Sequence, residues 1–336
     1  MKFVIGRALT ILSWDDPVTA FFEKVEKLRH SLGRPSRSDF VQLQFVRYKM
    51  KVAVMTDDNS GMPREEAEKL GVFIMPMPFF IDGELTYQSE TFTSKDFYEK
   101  LAKGADVSTS QPSPGDVMDM WNDILNKGYD EIVYIPMSAG LSESCNSAKI
   151  FAKEFEGKVH VVDNHRISVT MEQSVINAVN YVAEGLSALE VKERLEKEAY
   201  DATIFITVED LNYLKKGGRV TAAAAAIGNI LNLKPVLTIQ GEKLDAFAKE
   251  RGMKKARRTM VEAMTKEVTT RFKDLYDAGK FKLAIAYSDV DDETLKSWID
   301  EVLEAFPGAD LLIRPLSLSI GCHIGPGALA LAGCLR

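Results

Sequence analysis

Two short hydroxyl-rich segments hold the side chains best suited to gripping a small anion. Ser108-Thr109-Ser110-Gln111-Pro112-Ser113 sets four hydroxyl residues and an amide just before a helical stretch. Hydroxyls and backbone N–H groups at a helix N-terminus form a natural anion site. Capping and turn chemistry account for Ser113 and Pro112 but leave Thr109 and Ser110 to spare. The second segment, Ser138-Ala139-Gly140-Leu141-Ser142-Glu143-Ser144, follows an apolar strand. A serine there invites a nucleophile reading, yet G-x-S-x-G is absent and no spacing makes His160 or His165 its base. A second anion-binding turn is the more economical expectation, with a hydrolase or transferase acting through Ser142 as the alternative.

Other segments bear charge or unusual backbone. Lys215-Lys216-Gly217-Gly218-Arg219 concentrates positive charge on what reads as a loop, without the spacing of a P-loop. Arg251, Lys254, Lys255, Arg257 and Arg258 form a second basic stretch, expected as a solvated helix face. Near the C-terminus, Gly321-Cys322-His323-Ile324-Gly325-Pro326-Gly327-Ala328 surrounds one histidine with three glycines and a proline. That frame suits close approach of backbone to a ligand or neighbour.

The elements that must position these residues follow from pattern. From Met50 the chain alternates apolar strands and helices: strands at Val52–Met55, Glu131–Met137 and Val159–Val162, a helix opened by Thr93 with Asp96, and another capped by Ser113 with Pro114 in its first position. Val72–Ile81 is extended, and Pro76 and Pro78 demote it to an edge or irregular strand. Such alternation predicts a mostly parallel sheet covered on both faces, with sites at the carboxyl ends of strands. The rule places both SAGLSES and DDNSG at the binding edge. After helices near Ser168–Glu184 and Ala188–Tyr200 come a strand at Thr203–Val208, a helix over Ala222–Leu231, a hairpin at Pro235–Ile239 and Lys243–Ala248, and helices near Lys254–Tyr276 and Glu293–Phe306 around the strand Lys282–Tyr287. This is an α+β pattern. We therefore expect a two-domain α/β protein: residues 50–202 as a parallel α/β domain and 203–336 as an α+β domain. Residues 1–49, with a short amphipathic stretch at Ala20–Leu32 before the breaker-rich Gly33–Asp39, read as an extension.

Composition narrows the functional classes. With 42 basic and 49 acidic side chains the formal charge is −7, which argues against a nucleic-acid binder. Cys145, Cys322 and Cys334 have neither C-x-x-C spacing nor clustered histidines, so free thiols in a reducing compartment and no metal site are expected. No apolar run is long enough to span a bilayer, and Arg7 interrupts the Val4–Leu12 stretch without a cleavage site after it. A cytoplasmic protein is expected.

Taken in order, MTDDNSG, STSQPSP, SAGLSES, LNYLKKGGRV, LNLKPVL, KERGMKKA and GCHIGPGAL resemble the DegV family of fatty-acid-binding proteins, from Met50 to the C-terminus. The resemblance implies a two-domain fold with a lipid buried between the domains. It implies a carrier rather than an enzyme, which binds a long-chain fatty acid without any cofactor. A separate fatty-acid kinase would phosphorylate the acid to an acyl phosphate for phospholipid synthesis. By motif, Thr109 and Ser142 match the hydroxyls that hold the carboxylate, with Ser110 adjacent and His323 near the head group. Arg219 and Arg251 match basic positions facing the head group or partner. Three positions depart from the family pattern: Asp58 in Asp57-Asp58, Glu143 in place of a glycine, and Tyr287 in place of a histidine. A third reading is a protein-interaction module with a structural lipid.

The chemistry agrees with the resemblance. A carboxylate leaving water needs donors in its place. Two hydroxyls, and a histidine able to carry a proton, supply hydrogen bonds worth roughly 1.5–3 kcal/mol each to a charged group. The tail adds about 0.8 kcal/mol per buried methylene.

Overall fold

A computed structural model of the chain describes residues 2–5, 8–11, 50–89, 91–227 and 233–336. Residues Met1–Met50 group as one unit, in which β1 (Lys2–Ile5) and β2 (Ala8–Ile11) pair antiparallel. The expected helical stretch at Ala20–Leu32 lies outside the described residues. Lys51–Arg336 form a second unit, and everything below concerns it.

The apolar run after Lys51 becomes β3 (Val52–Asp57). Its alternate residues enter two different cores, Val52 and Val54 one, Ala53 and Met55 the other. That is what a strand covered on both faces requires. The chain continues through α1 (Arg64–Leu70) and β4 (Val72–Met75). The two prolines end β4, and β5 (Phe79–Ile81) belongs to another sheet. There β5 pairs with β6 (Glu84–Thr86), and, after α2 (Ser94–Ala102), with β7 (Val107–Thr109). Ser108 and Thr109 therefore lie in a strand, since pairing with β5 overrides the turn-like composition of the segment. A capping box of Thr93 and Asp96 opens α2.

Ser113 caps α3 (Pro114–Asn126), with Pro114 at its first position. Next come β8 (Glu131–Ile135), α4 (Ser144–Phe151) and β9 (Val159–Val161). The order β4-β3-β8-β9 is parallel throughout. On one face lie α3 and α4; on the other lie α5 (Ser168–Glu184) and α6 (Ala188–Lys197).

A six-stranded mixed sheet forms the other half. It begins with β10 (Ala202–Thr207), followed by α7 (Asn212–Gly217) and α8 (Ala222–Ala225). Lys215 to Gly217 thus end a helix instead of forming a loop, and Gly218 caps it at φ 68°. The longer helix expected to Leu231 is described only through its first turn; residues 228–232 lie outside the described residues. The hairpin β11 (Leu233–Ile239) and β12 (Asp245–Arg251) comes next. Then follow α9 (Met253–Thr269) and α10 (Lys273–Asp277), where one helix was expected. The hydroxyls of Thr265, Thr269 and Thr270 bond back to carbonyls of the preceding turn, which loosens the helix at its break. The chain ends with β13 (Phe281–Tyr287), α11 (Asp292–Ala305), β14 (Leu312–Pro315), α12 (Leu318–Ile324) and β15 (Leu329–Leu335).

The last strand lies inside the sheet, in the order β12-β11-β10-β15-β13-β14, with β13 and β14 the parallel pair. Phe205, Leu283, Ile285, Leu329 and Leu331 pack under α9 and α11. The opposite face presents Ile204, Ile206, Ala284, Ala286, Ala330 and Ala332 toward the parallel half. Between the two sheets runs α5, which touches β3 on one side and β13, β14 and β15 on the other. Arg314 joins the halves by donating to Glu172 on α5 at 2.7 and 3.0 Å and to Glu66 on α1. Among the described residues no helix is long and apolar enough to cross a membrane.

Candidate functional site

Between the sheets lies a cavity of about 490 Å³, within the range of small-molecule sites. Most of its wall is aliphatic: Ile167, Val169, Ile204, Ile206, Leu316, Ile320 and Ala330 are among the residues lining it. One region is polar, and it gathers Thr109, Ser110, Ser142, Arg219 and His323 from β7, the loop after β8, the segment after α7, and α12.

Aromatic packing brings β7 and α12 together. Phe79 and Phe97 meet edge to face at 5.8 Å, and both pack with Leu318 and Cys322. A β-carbon on Gly321 would sit 2.9 Å from Tyr98 Oη, so glycine is needed for α12 to come this close. The result is a bond of 2.8 Å between Thr109 Oγ1 and His323 Nε2. Burial, and then the Arg219 guanidinium, push the His323 pKa down to about 4. The sequence reading allowed a protonated histidine; the structure makes it neutral at physiological pH. Among the described residues its Nδ1 is buried without a partner, against Gly217, where a β-carbon would overlap the ring. An orphaned N–H is rarer than an orphaned acceptor, so the proton belongs on Nε2, which donates to Thr109. The threonine hydroxyl then keeps its own proton for a ligand.

Ser142 is arranged the same way. Its Oγ accepts from Ser144 N at 3.2 Å, at the start of α4. The turn that holds it is fixed by Ser142 N donating to Ser138 O at 3.1 Å, and by Ser138 Oγ donating to Gly241 O on the β11–β12 turn. Gly140 must be glycine there, since a β-carbon would lie 2.7 Å from Gly241 O. Two hydroxyls of the polar region therefore accept from the protein and retain a donor each. Among the described residues the Ser142 side chain bonds only to the Ser144 amide, and no base is hydrogen-bonded to it.

Arg219 Nε donates to Leu141 O at 3.2 Å and Nη1 to Gly217 O at 2.6 Å, which ties the two halves together beside the cavity. Ser110 lines the cavity, but its hydroxyl turns to Gln111 O at 3.1 Å. Arg251 is exposed at the end of the edge strand β12 and does not line the cavity. Glu143 is exposed at the wall, where it accepts from Asn146 Nδ2 at 3.1 Å. Tyr287 packs on the helix-covered face of its sheet, away from the cavity face. Asp58 accepts from Met77 N at 3.0 Å, and Asp57 from Met137 N and Asn59 N; burial lifts Asp57 to a pKa of about 7.

Sequence reasoning placed the DDNSG turn at the binding edge and noted Asp57-Asp58 in it as a departure from the family pattern, but assigned no site residue there. Asn59 lines the cavity there, and its Oδ1 accepts from Ser317 at 3.2 Å and Ser319 at 2.5 Å. Met77 and Met137 were missed as well. Their positions just past the ends of β4 and β8 were the available signal.

The model of the uncharacterised DegV protein family matches residues 51–335. A DegV domain-containing protein of Deinococcus radiodurans is 29% identical over 284 residues, 84% of this chain and 98% of that one. Among solved structures, a fatty-acid-binding DegV family protein from Thermus thermophilus is 30% identical with a TM-score of 0.76, covering 85% of this chain and all of its own. DegV from Bacillus subtilis, also a fatty-acid-binding protein, is 26% identical with a TM-score of 0.73 over the same shares.

Proposed function

The chain belongs to the DegV family, and from that premise we propose that it carries one long-chain fatty acid. The tail would lie along the aliphatic wall, and Thr109 and Ser142 would donate to the carboxylate. The observation that carries this reading is the pair of hydroxyls that each engage one protein partner, His323 and Ser144, at a polar region of a mostly apolar cavity. Tail burial supplies the larger share of affinity, about 0.8 kcal/mol per methylene. The donors offset the cost of taking the carboxylate from water. A neutral His323 acts as a positioning group, and the nearby Arg219 charge favours an anion.

In this reading the chain is not itself the catalyst. A separate kinase takes the exposed side of the head-group region, and phosphorylates the bound acid to an acyl phosphate used for phospholipid synthesis, in the cytoplasm. Neutral hydroxyl donors leave the carboxylate oxygen less tightly pinned than a bidentate arginine would, which suits a group that must react. Mass spectrometry of lipid extracted from the purified protein tests the carrier reading. A stoichiometric long-chain acid, or uptake of added oleate or palmitate after delipidation, is expected; neither appearing would overturn it. Charge reversal at the exposed Arg251 tests docking: acyl phosphate formation by an added kinase should drop while fatty-acid binding persists.

A further inference from the structure

The segment that carries Thr109 also carries an amide to which the carboxylate site gives no role. Ser113 caps α3, and Gln111 lies between it and Thr109 on the cavity wall. The Gln111 backbone has little freedom. Pro112 follows it, which restricts it to extended conformations, and its carbonyl accepts from Ser110 Oγ at 3.1 Å. From that base the side chain meets α4, where Ser147 Oγ donates to Gln111 Oε1 at 3.0 Å. Ser147 also lines the cavity, on the helix that begins just after Ser142.

This bond spans parts of the fold that no strand ladder joins. Thr109 ends β7 in the three-stranded sheet, whereas Ser142 follows β8 of the parallel sheet. Thr109 bonds to His323, and Ser142 to the Ser144 amide, so neither bond fixes the distance between the two hydroxyls. Among the described residues, Ser147 to Gln111 is the one hydrogen bond between residues 107–113 and 138–151. A second link is indirect: Arg219 bonds Leu141 O and Gly217 O, and Gly217 meets His323 only by packing. The two oxygens of a carboxylate have a fixed separation. Two donors serve both only when they are held at a matching spacing before the ligand arrives.

We propose that Gln111 and Ser147 are positioning residues of the head-group site, and that the bond between them sets the spacing of Thr109 and Ser142. The proposal rests on the carrier reading and deepens it. It names the pair that lets the site favour a charged head group with two equivalent oxygens over a neutral one. Neither side chain needs to touch the ligand. Gln111 is exposed and Ser147 half-buried, so either can lose the bond to water without leaving a polar group stranded in the core.

The test titrates palmitate and methyl palmitate into the delipidated full chain, in the wild type and in Gln111→Met, Ser147→Ala and the double variant. Each single substitution should weaken palmitate by roughly five- to tenfold, the effect of about one hydrogen bond. The ester should change far less, so the ratio of the two affinities falls. Because both residues act through one bond, the double variant should be no weaker than either single one. Ser147→Thr, which keeps the hydroxyl, should restore the wild-type ratio. An ester weakened as much as palmitate, independent effects that multiply in the double variant, or an unchanged ratio would overturn the proposal and leave the carrier reading intact. Failure of the wild type to bind palmitate at all would overturn both.

Discussion

Replacing Thr109 with valine keeps the shape of the polar region and removes only a hydroxyl. Two consequences follow from the bond of 2.8 Å to His323 Nε2. Without ligand, the imidazole N–H loses its acceptor in a buried place, which costs roughly 1–3 kcal/mol of folding stability. With ligand, the carboxylate loses a donor, and a hydrogen bond to a charged group is worth roughly 1.5–3 kcal/mol. Converted to affinity, the second loss is about 10- to 150-fold in Kd. Calorimetric titration with palmitate and with methyl palmitate separates head from tail, because the ester keeps the chain and lacks the charge. Thr109→Val should weaken palmitate by that factor and change the ester far less. Thr109→Ser, which restores the hydroxyl, should recover most of the loss. If Thr109→Val bound palmitate within about twofold of the wild type, well under the loss of one such bond, the carboxylate would not be where Thr109 can reach it, and the reasoning would fail.

Gly217→Ala should destabilise the protein and weaken fatty-acid binding, although alanine ordinarily improves a helix by about 1 kcal/mol. The new β-carbon overlaps His323 Nδ1 and must displace the ring; a thermal melt at or above wild type would contradict this. Arg314→Leu leaves Glu172, 0% exposed, without its counter-charge, and should cost roughly 3–5 kcal/mol by urea denaturation. The added variant Glu172→Gln should recover part of it. The pH dependence of stability should change in His323→Gln. The folded pKa of His323, about 4, lies below the usual 6.5. Folding therefore excludes a proton, and the His323 contribution falls as pH drops from 6.5 toward 4, by roughly 3 kcal/mol in all. Asp57 works in the opposite direction. Its pKa of about 7 exceeds the usual 3.8, so its contribution is in place below 3.8 and lost as pH rises through 7. Denaturation midpoints from pH 4 to 7 should fall less on acidification in the variant than in the wild type, and superimposable profiles would refute the assignment.

The parallel half was legible because its strands feed two cores at once and three of its helices, α2, α3 and α6, carry side-chain caps. Thr93, Ser113 and Pro114 do in the structure what their types suggest. Less legible were features set by distant partners. Ser108 and Thr109 look like loop until β5 supplies their pairing. Lys215 and Lys216 look like a flexible turn until α7 packs against α12. Among the site residues, Thr109 and Ser142 could be picked by type and position, but their shared logic could not. It depends on which neighbour consumes each hydroxyl's lone pair, and His323 is 214 residues from Thr109 along the chain. Arg251 is exposed and outside the cavity wall, so of the two roles its motif implied only the partner-facing one is open to it.

The position of α5 between the sheets bears on how fast cargo can be exchanged. Swinging the halves apart would strip the helix from β13 and β15 and pull the buried Glu172 away from Arg314. The barrier to such an opening includes the loss of that ion pair and of the packing of α5 on the sheet. In the proposed carrier, cargo would then leave by local shifts beside the cavity rather than by a wholesale parting of the fold, and a recipient would act on the acid in place.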